Sequence, residues 1–133
     1  MDVLLYQVNR NLNRAYRTAE AFGVARMLLL DCGSALLAGN LFKARDRVKL
    51  VSIDKWPAPW GLLALETYYP HSIEITDWSE VTTIVIGGES HGLPRNLEAA
   101  QRARILTVGA ISGLTVEAAL AIALYEWRRN DSY

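Results

Sequence analysis

The sequence is poor in the features that a secreted, membrane-spanning or metal-built protein needs. Cys32 is the only cysteine among 133 residues. That excludes an intramolecular disulfide and a cysteine-based metal site. Apolar side chains make up 51% of the chain, yet no apolar run reaches the roughly 18 residues of a transmembrane helix. The opening Met1-Asp2-Val3-Leu4-Leu5 lacks the basic start and cleavage site of a secretory leader. These absences lead to the expectation of a cytoplasmic protein with no membrane association. An excess of one charge is also missing, because 14 basic residues balance 14 acidic ones. That balance counts against a protein that holds nucleic acid by bulk charge.

The basic residues are nonetheless grouped. Arg10, Arg14 and Arg17 lie near one another, and Lys43, Arg45, Arg47 and Lys49 alternate along the chain. The second group reads as ordinary solvated surface. The length suits one domain over residues 1–133 with a core of its own. There is no repeat, linker or low-complexity stretch.

Apolar, β-prone runs at residues 3–8, 24–30, 48–53, 62–65, 82–86 and 105–108 read as strands. Asn11 reads as the N-cap of a helix over 12–22, closed by Gly23. Helices are also expected at 35–45, from Pro94 to about residue 100, and over 115–129. Residues 56–61, Trp-Pro-Ala-Pro-Trp-Gly, form a turn because proline fixes the chain and removes donors. Unbroken apolar strands alternating with helices indicate an α/β fold with a largely parallel sheet covered by helices. Ligands of such sheets bind at the carboxyl ends of the strands. Gly87 and Glu66 both follow predicted strands and are placed for such a site.

Residues 87–94 read Gly-Gly-Glu-Ser-His-Gly-Leu-Pro. Gly87 and Gly88 let a backbone turn tightly and approach a ligand. A bare strand-to-helix turn would use them as well. Within the segment, Gly88 to Gly92 fits the nucleophile elbow G-x-S-x-G. The hydrolase reading fails on its base. The only histidines are His71 and His91, so none follows the elbow. The dinucleotide fingerprint G-x-G-x-x-G is not matched.

The segment does resemble the second motif of the SpoU/TrmH methyltransferases, where a glycine, an acid two residues on and a Gly-Leu pair recur. Two further segments resemble that family in the right order. Asn11-Leu12-Asn13-Arg14-Ala15-Tyr16-Arg17-Thr18-Ala19-Glu20-Ala21-Phe22-Gly23 is similar to its first motif, in which an asparagine precedes an arginine by six residues. Gly113-Leu114-Thr115-Val116-Glu117-Ala118-Ala119, continuing to Ala123-Leu124-Tyr125-Glu126, is similar to its third. Leu63-Ala64-Leu65-Glu66-Thr67 resembles the end of its fourth strand.

The resemblance implies an α/β domain with a C-terminal trefoil knot. It implies an RNA ribose 2′-O-methyltransferase that uses S-adenosylmethionine and needs no metal. The cofactor would be held largely by backbone groups at Leu65, Glu66, Gly87, Gly88, Ile105, Leu114 and Thr115. Composition alone makes Leu65, Ile105 and Leu114 core, and both roles are compatible in an apolar pocket. Arg17 matches the family's catalytic arginine. A guanidinium is a poor general base, so its first role would be to grip the phosphate beside the target ribose. Asn11 would order this segment by capping the helix or touch RNA, and Glu89 would hold the second motif together or orient Arg17. Arg14 joins Arg17 as a substrate-binding candidate. The partners implied are RNA, with tRNA ahead of rRNA, and a second copy of the chain, since the family completes its site across a homodimer. Trp127 is then either an interface anchor or a core residue.

The chain departs from the family where Ser-Leu-Asn-Val is usual, having Gly113-Leu114-Thr115-Val116. Thr115 keeps a hydroxyl that can cap the last helix, and Ser112 stands near the lost serine. Asn13 replaces a common glycine. These changes leave open an alternative, a catalytically weak or inactive family member that binds S-adenosylmethionine or RNA as a binding module. A base methyltransferase is a third reading, against which the particular set of motifs argues.

Overall fold

The computed structural model describes residues 1–33, 47–107 and 114–131. Among them the chain forms six strands, two α-helices and three single 3₁₀ turns. The strands are β1 (Asp2–Tyr6), β2 (Arg26–Leu30), β3 (Lys49–Ile53), β4 (Leu62–Leu65), β5 (Thr83–Gly87) and β6 (Gln101–Ala103). The helices are α1 (Leu12–Ala21) and α2 (Val116–Asn130). None is long and apolar enough to cross a membrane.

All strand pairs are parallel, in the order β3-β2-β1-β5-β4-β6. Side chains alternate cleanly between the two faces, as the pleat requires. Val3, Leu5, Met27, Leu29, Leu63, Ile84 and Ile86 pack with Leu12, Tyr16, Leu120 and Leu124 of the two helices. Leu4, Leu28, Leu30, Leu62, Ala64 and Val85 point the other way, toward Tyr69, Leu93 and Leu97. A strand buried on both faces needs apolar residues throughout, which is why β1, β2, β4 and β5 read as continuous runs. Both described helices lie on one face. The helix expected over 35–45, with Lys43 and Arg45, lies outside the described residues. So does the stretch 108–113, through which the threading of the expected knot would run.

Three expectations need correction. Instead of the strand placed at 105–108, the chain forms β6 at Gln101–Ala103, four to five residues earlier. Its Gln-Arg-Ala sequence has no apolar run because β6 is at the edge of the sheet, paired among the described residues with β4 alone. The helix expected after Pro94 is a single turn, with the Leu97 amide bonded to the Pro94 carbonyl at 3.1 Å. Leu93 and Leu97 are both buried in the core, and the Ala100 amide is tied to the Pro59 carbonyl at 2.9 Å. The chain is pulled straight between those anchors, which leaves no room for a second turn. Asn11 does stand at the N-terminus of α1, where its carbonyl accepts from Ala15 at 3.2 Å. Its side chain makes no capping bond, because its backbone is left-handed at φ 57° rather than extended.

The other helix ends follow the expected chemistry. Gly23 closes α1 at φ +75°. Arg128 donates from Nε to the Phe22 carbonyl at 2.8 Å, which joins the end of α2 to the end of α1. Thr115 caps α2, its hydroxyl accepting from the Ala118 amide at 3.2 Å. Trp127 is half-buried against the core, with the Arg128 guanidinium 4.1 Å from its ring centre. Leu120 is wholly buried between α2 and the sheet. Leu120→Ala should lower the unfolding free energy by about 3 kcal/mol, from lost transfer energy and an unfilled cavity. Urea denaturation measures it. A loss below about 1 kcal/mol would mean that α2 is not docked as described.

Candidate active site

Strand register brings the functional segments together. Tyr6 pairs with Leu30 and with Gly87, and Leu65 pairs with Ile86. The carboxyl ends of β1, β2, β4 and β5 are therefore level. The chain moves outward from β1 through β2 to β3, then crosses to build β4, β5 and β6 on the other side. The crevice of such a sheet opens where the order reverses, between β1 and β5. The glycine loop leaves β5 at that point.

Three elements hold this loop. The Gly88 amide donates to the Tyr6 carbonyl of β1 at 2.8 Å. From the end of β4, Glu66 accepts from the Leu93 amide at 2.7 Å and the Thr67 amide at 3.3 Å. Glu89 accepts from the Val116 amide in the first turn of α2 at 3.4 Å. The glycines are explained largely by this packing. A side chain on Gly88 would strike the Gln7 carbonyl, and one on Gly87 the Gly92 carbonyl carbon. Gly92 has φ +65°, and its missing side chain leaves room for the Glu66 carboxylate. Close approach to a ligand is therefore not their first purpose; close approach to the protein's own backbone is.

Two cavities meet at the loop, and Gly88, Glu89, His91 and Val116 line both. The larger, about 630 Å³, lies over the ends of β4 and β5. Leu65, Glu66, Gly87, Gly88, Ile105, Leu114 and Thr115 all line it. These seven residues, drawn from four separate segments, are the complete set that sequence resemblance assigned to the cofactor. The cavity suits S-adenosylmethionine. It is lined largely by apolar groups, and the amides of Ile105 and Thr107 find no partner among the described residues.

The smaller cavity, about 340 Å³, lies over the ends of β1 and β2. Sequence reasoning did not anticipate it. Gln7 and Asp31 form its floor, joined by a 2.7 Å bond from Gln7 Nε2 to Asp31 Oδ2. Each is left-handed at φ 54°, a conformation costing about 1–2 kcal/mol in a residue other than glycine. Such strain gathers at functional sites. Its only trace in the sequence is a polar residue directly after each apolar strand. Cys32 lies beside them, buried, its thiol donating to the Leu5 carbonyl at 3.3 Å. Burial pushes that thiol above its usual range, so it is a packing group rather than a nucleophile.

The candidates from the first motif lie elsewhere. Asn11, Arg14 and Arg17 line neither cavity. Arg14 is paired with Glu117 of α2 at 3.3 Å. Arg17 is exposed, and among the described residues its guanidinium has no hydrogen-bond or ion-pair partner. Glu89 holds the loop to α2 rather than orienting Arg17. Gly113 and Ser112 lie outside the described residues.

The glycine loop yields a direct test. Gly92→Ala should cost about 1–2 kcal/mol of stability through its positive φ. It should also expose the Leu93 amide, whose hydrogen exchange would quicken, while Ser90→Ala changes neither. An unaltered Leu93 amide in the Gly92 variant would show that Glu66 does not hold the loop.

No family model matches the sequence, and no curated protein matches it. Solved structures do match. One, concerned with the 2-OH methylation of C/U34 on tRNA, superposes with a TM-score of 0.79 at 24% identity, over 96% of this chain and 88% of that one. An S-adenosylmethionine-bound rRNA methyltransferase from Sinorhizobium meliloti gives 0.78 at 23% identity, over 99% of this chain and 57% of that one. The SpoU methyltransferase AviRb from Streptomyces viridochromogenes, in complex with the same cofactor, gives 0.77 at 18%, over 100% and 59%. The chain thus spans most of the first relative and somewhat over half of the other two. The α/β fold with its parallel sheet is that of the SpoU/TrmH methyltransferases.

Proposed function

We propose that this chain is a SpoU/TrmH-family methyltransferase that transfers a methyl group from S-adenosylmethionine to a ribose 2′-hydroxyl of RNA, with tRNA as the substrate. One observation carries the reading. Seven residues named from sequence motifs, scattered between positions 65 and 115, line a single cavity at the carboxyl ends of the strands. Chance does not gather them, and a hydrolase or dinucleotide enzyme would not need them. The similarity to a structure concerned with tRNA methylation, which this chain spans almost fully, favours tRNA over rRNA.

When bound, the cofactor supplies a methyl group already activated by its sulfonium, so no metal is needed. The protein's part is to orient and to exclude water. Leu65, Ile105 and Leu114 would enclose the apolar part of the cofactor, and backbone groups at the cavity rim would bind its polar edges. Glu66 and Glu89 keep the loop between them in shape, which sets where the ribose meets the cofactor. Arg17 would grip the phosphate beside the target ribose. Its distance from both cavities within one chain fits the homodimer, in which Arg17 of one protomer serves the site of its partner. The same distance favours a second reading, a family member that binds without methylating.

Calorimetry and transfer of tritium from the cofactor to tRNA separate these readings. S-adenosylmethionine should bind with measurable heat, and its absence at millimolar ligand would sink the proposal. The protein should sediment at about twice 14.8 kDa. Arg17→Ala should lower transfer about a hundredfold, near 3 kcal/mol, and leave cofactor affinity unchanged. Arg17→Lys should recover little, since lysine lacks the planar fork. Cofactor binding without transfer in the unaltered protein would establish the second reading.

A further inference from the structure

We infer that His91 is the general base of the transfer, the group that takes the proton from the target ribose 2′-hydroxyl. The inference rests on the proposed RNA methylation. It fills the role that Arg17 is ill suited to play, since a guanidinium holds its proton.

Placement singles out His91. It lines both cavities, so it stands where a ribose in the smaller one would meet a cofactor in the larger. It is exposed, and its ring has no hydrogen-bond partner among the described residues. Its backbone is nonetheless fixed. The Gly92 amide donates to the Gly88 carbonyl at 2.9 Å, closing a turn that contains His91. Glu89 ties that turn to α2, and Glu66 ties Leu93 just beyond it to the end of β4. An open ring on a fixed turn is suited to meet a substrate without reorganising.

The other titratable groups around the cavities do not compete. Arg10, Asp31, Cys32 and Glu89 line the smaller one with His91, and Glu66 and Tyr68 line the larger. From α2 only the apolar Val116 and Ala119 face them. Arg10 and Tyr68 hold their protons at neutral pH. The buried Cys32 thiol, pushed above its usual range, does the same. All three carboxylates already accept hydrogen bonds, Asp31 from Gln7, Glu66 from Leu93 and Thr67, and Glu89 from Val116. Protonating either glutamate would weaken the bonds that hold the loop. A histidine titrates near the working pH, which suits a general base. In the transfer, the ribose oxygen bonds to the methyl carbon as the carbon–sulfur bond breaks, its electron pair going to sulfur. The hydroxyl proton passes to a ring nitrogen of His91 and then to water. The positive charge thus moves from the sulfonium to the imidazole and on to solvent.

The test uses the full chain, a tRNA transcript and saturating tritiated S-adenosylmethionine, with single-turnover rates followed from about pH 5.5 to about pH 8.5. Only the neutral imidazole accepts a proton. The wild-type rate should therefore fall about tenfold per pH unit below about pH 6.5 and level off above it. His91→Gln should lower the plateau about a hundredfold and abolish the acid limb. His71→Gln should keep both, because His71 lines neither cavity. A second readout needs no turnover. In NMR spectra of the unloaded protein, the His91 ring should titrate with the midpoint of the kinetic limb. Its signals should move when S-adenosylmethionine is added, while those of His71 stay. With transfer intact in the wild type, any of three results would overturn the inference and leave the methyltransferase reading standing. They are a rate that ignores pH, an acid limb that persists in His91→Gln, and His91 ring signals unmoved by the cofactor. No transfer by the wild type at any pH would overturn both.

Discussion

The Glu66 carboxylate holds the Leu93 amide at 2.7 Å, and the arrangement of both cavities follows from that bond. Glu66 is the first residue beyond β4, while Leu93 lies at the far end of the loop that leaves β5. The bond closes the loop over the sheet edge and buries Leu93 among the core residues of one face. It demands a glycine at 92, since any side chain there would occupy the space of the carboxylate. With the loop closed, Gly88 reaches the Tyr6 carbonyl and Glu89 reaches the start of α2. A charged acceptor bound to a backbone amide is about twice as strong as a neutral pair. Here two such bonds, from Glu66 and Glu89, set a wall that faces a different cavity on each side.

This construction explains why some of the site was legible in sequence and some was not. The loop glycines stand out because a side chain at each would clash with its neighbours, and an acid two residues beyond the first has a backbone amide to meet. Leu65, Ile105 and Leu114 are apolar in either role, so only their place in recurring motifs distinguished them from core. The Gln7–Asp31 floor left almost no trace. Left-handed backbone is legible where glycine or asparagine marks it and only faintly at an aspartate such as Asp31, and Gln7 gives no sign of it. What fixes them is tertiary, the level ending of β1 and β2, and that register is not written in either segment alone.

The fold shows the same division. Strands buried on both faces were legible as apolar runs, and Leu62–Leu65 is one of them. Gln101–Ala103 was missed because an edge strand buries little and pairs on one side only. The apolar Ile105 beyond it drew the assignment instead, although Ile105 serves as cavity lining. The segment after Pro94 has a leucine spacing, Leu93 to Leu97, that a helix would also show. The same spacing serves a chain pinned at two points of a core.

The departures in the third motif bear on α2 before they bear on catalysis. Thr115 replaces a usual asparagine, yet its hydroxyl still caps the helix at Ala118. Glu89 supplies a second acceptor at the same terminus, on the Val116 amide. Glu117 in the first turn adds a favourable charge against the helix dipole. Three groups therefore share the work of fixing where α2 begins, and the loss of one family residue there is compensated. Glu117 also pairs with Arg14 of α1, at an exposed position worth less than about 1 kcal/mol. So weak a pair adds little stability; the buried face of Leu12, Ala15, Tyr16 and Ala19 sets how α1 docks. Arg17 lies off that face and is exposed. The residue that resemblance makes catalytic thus faces away from both cavities of its own chain.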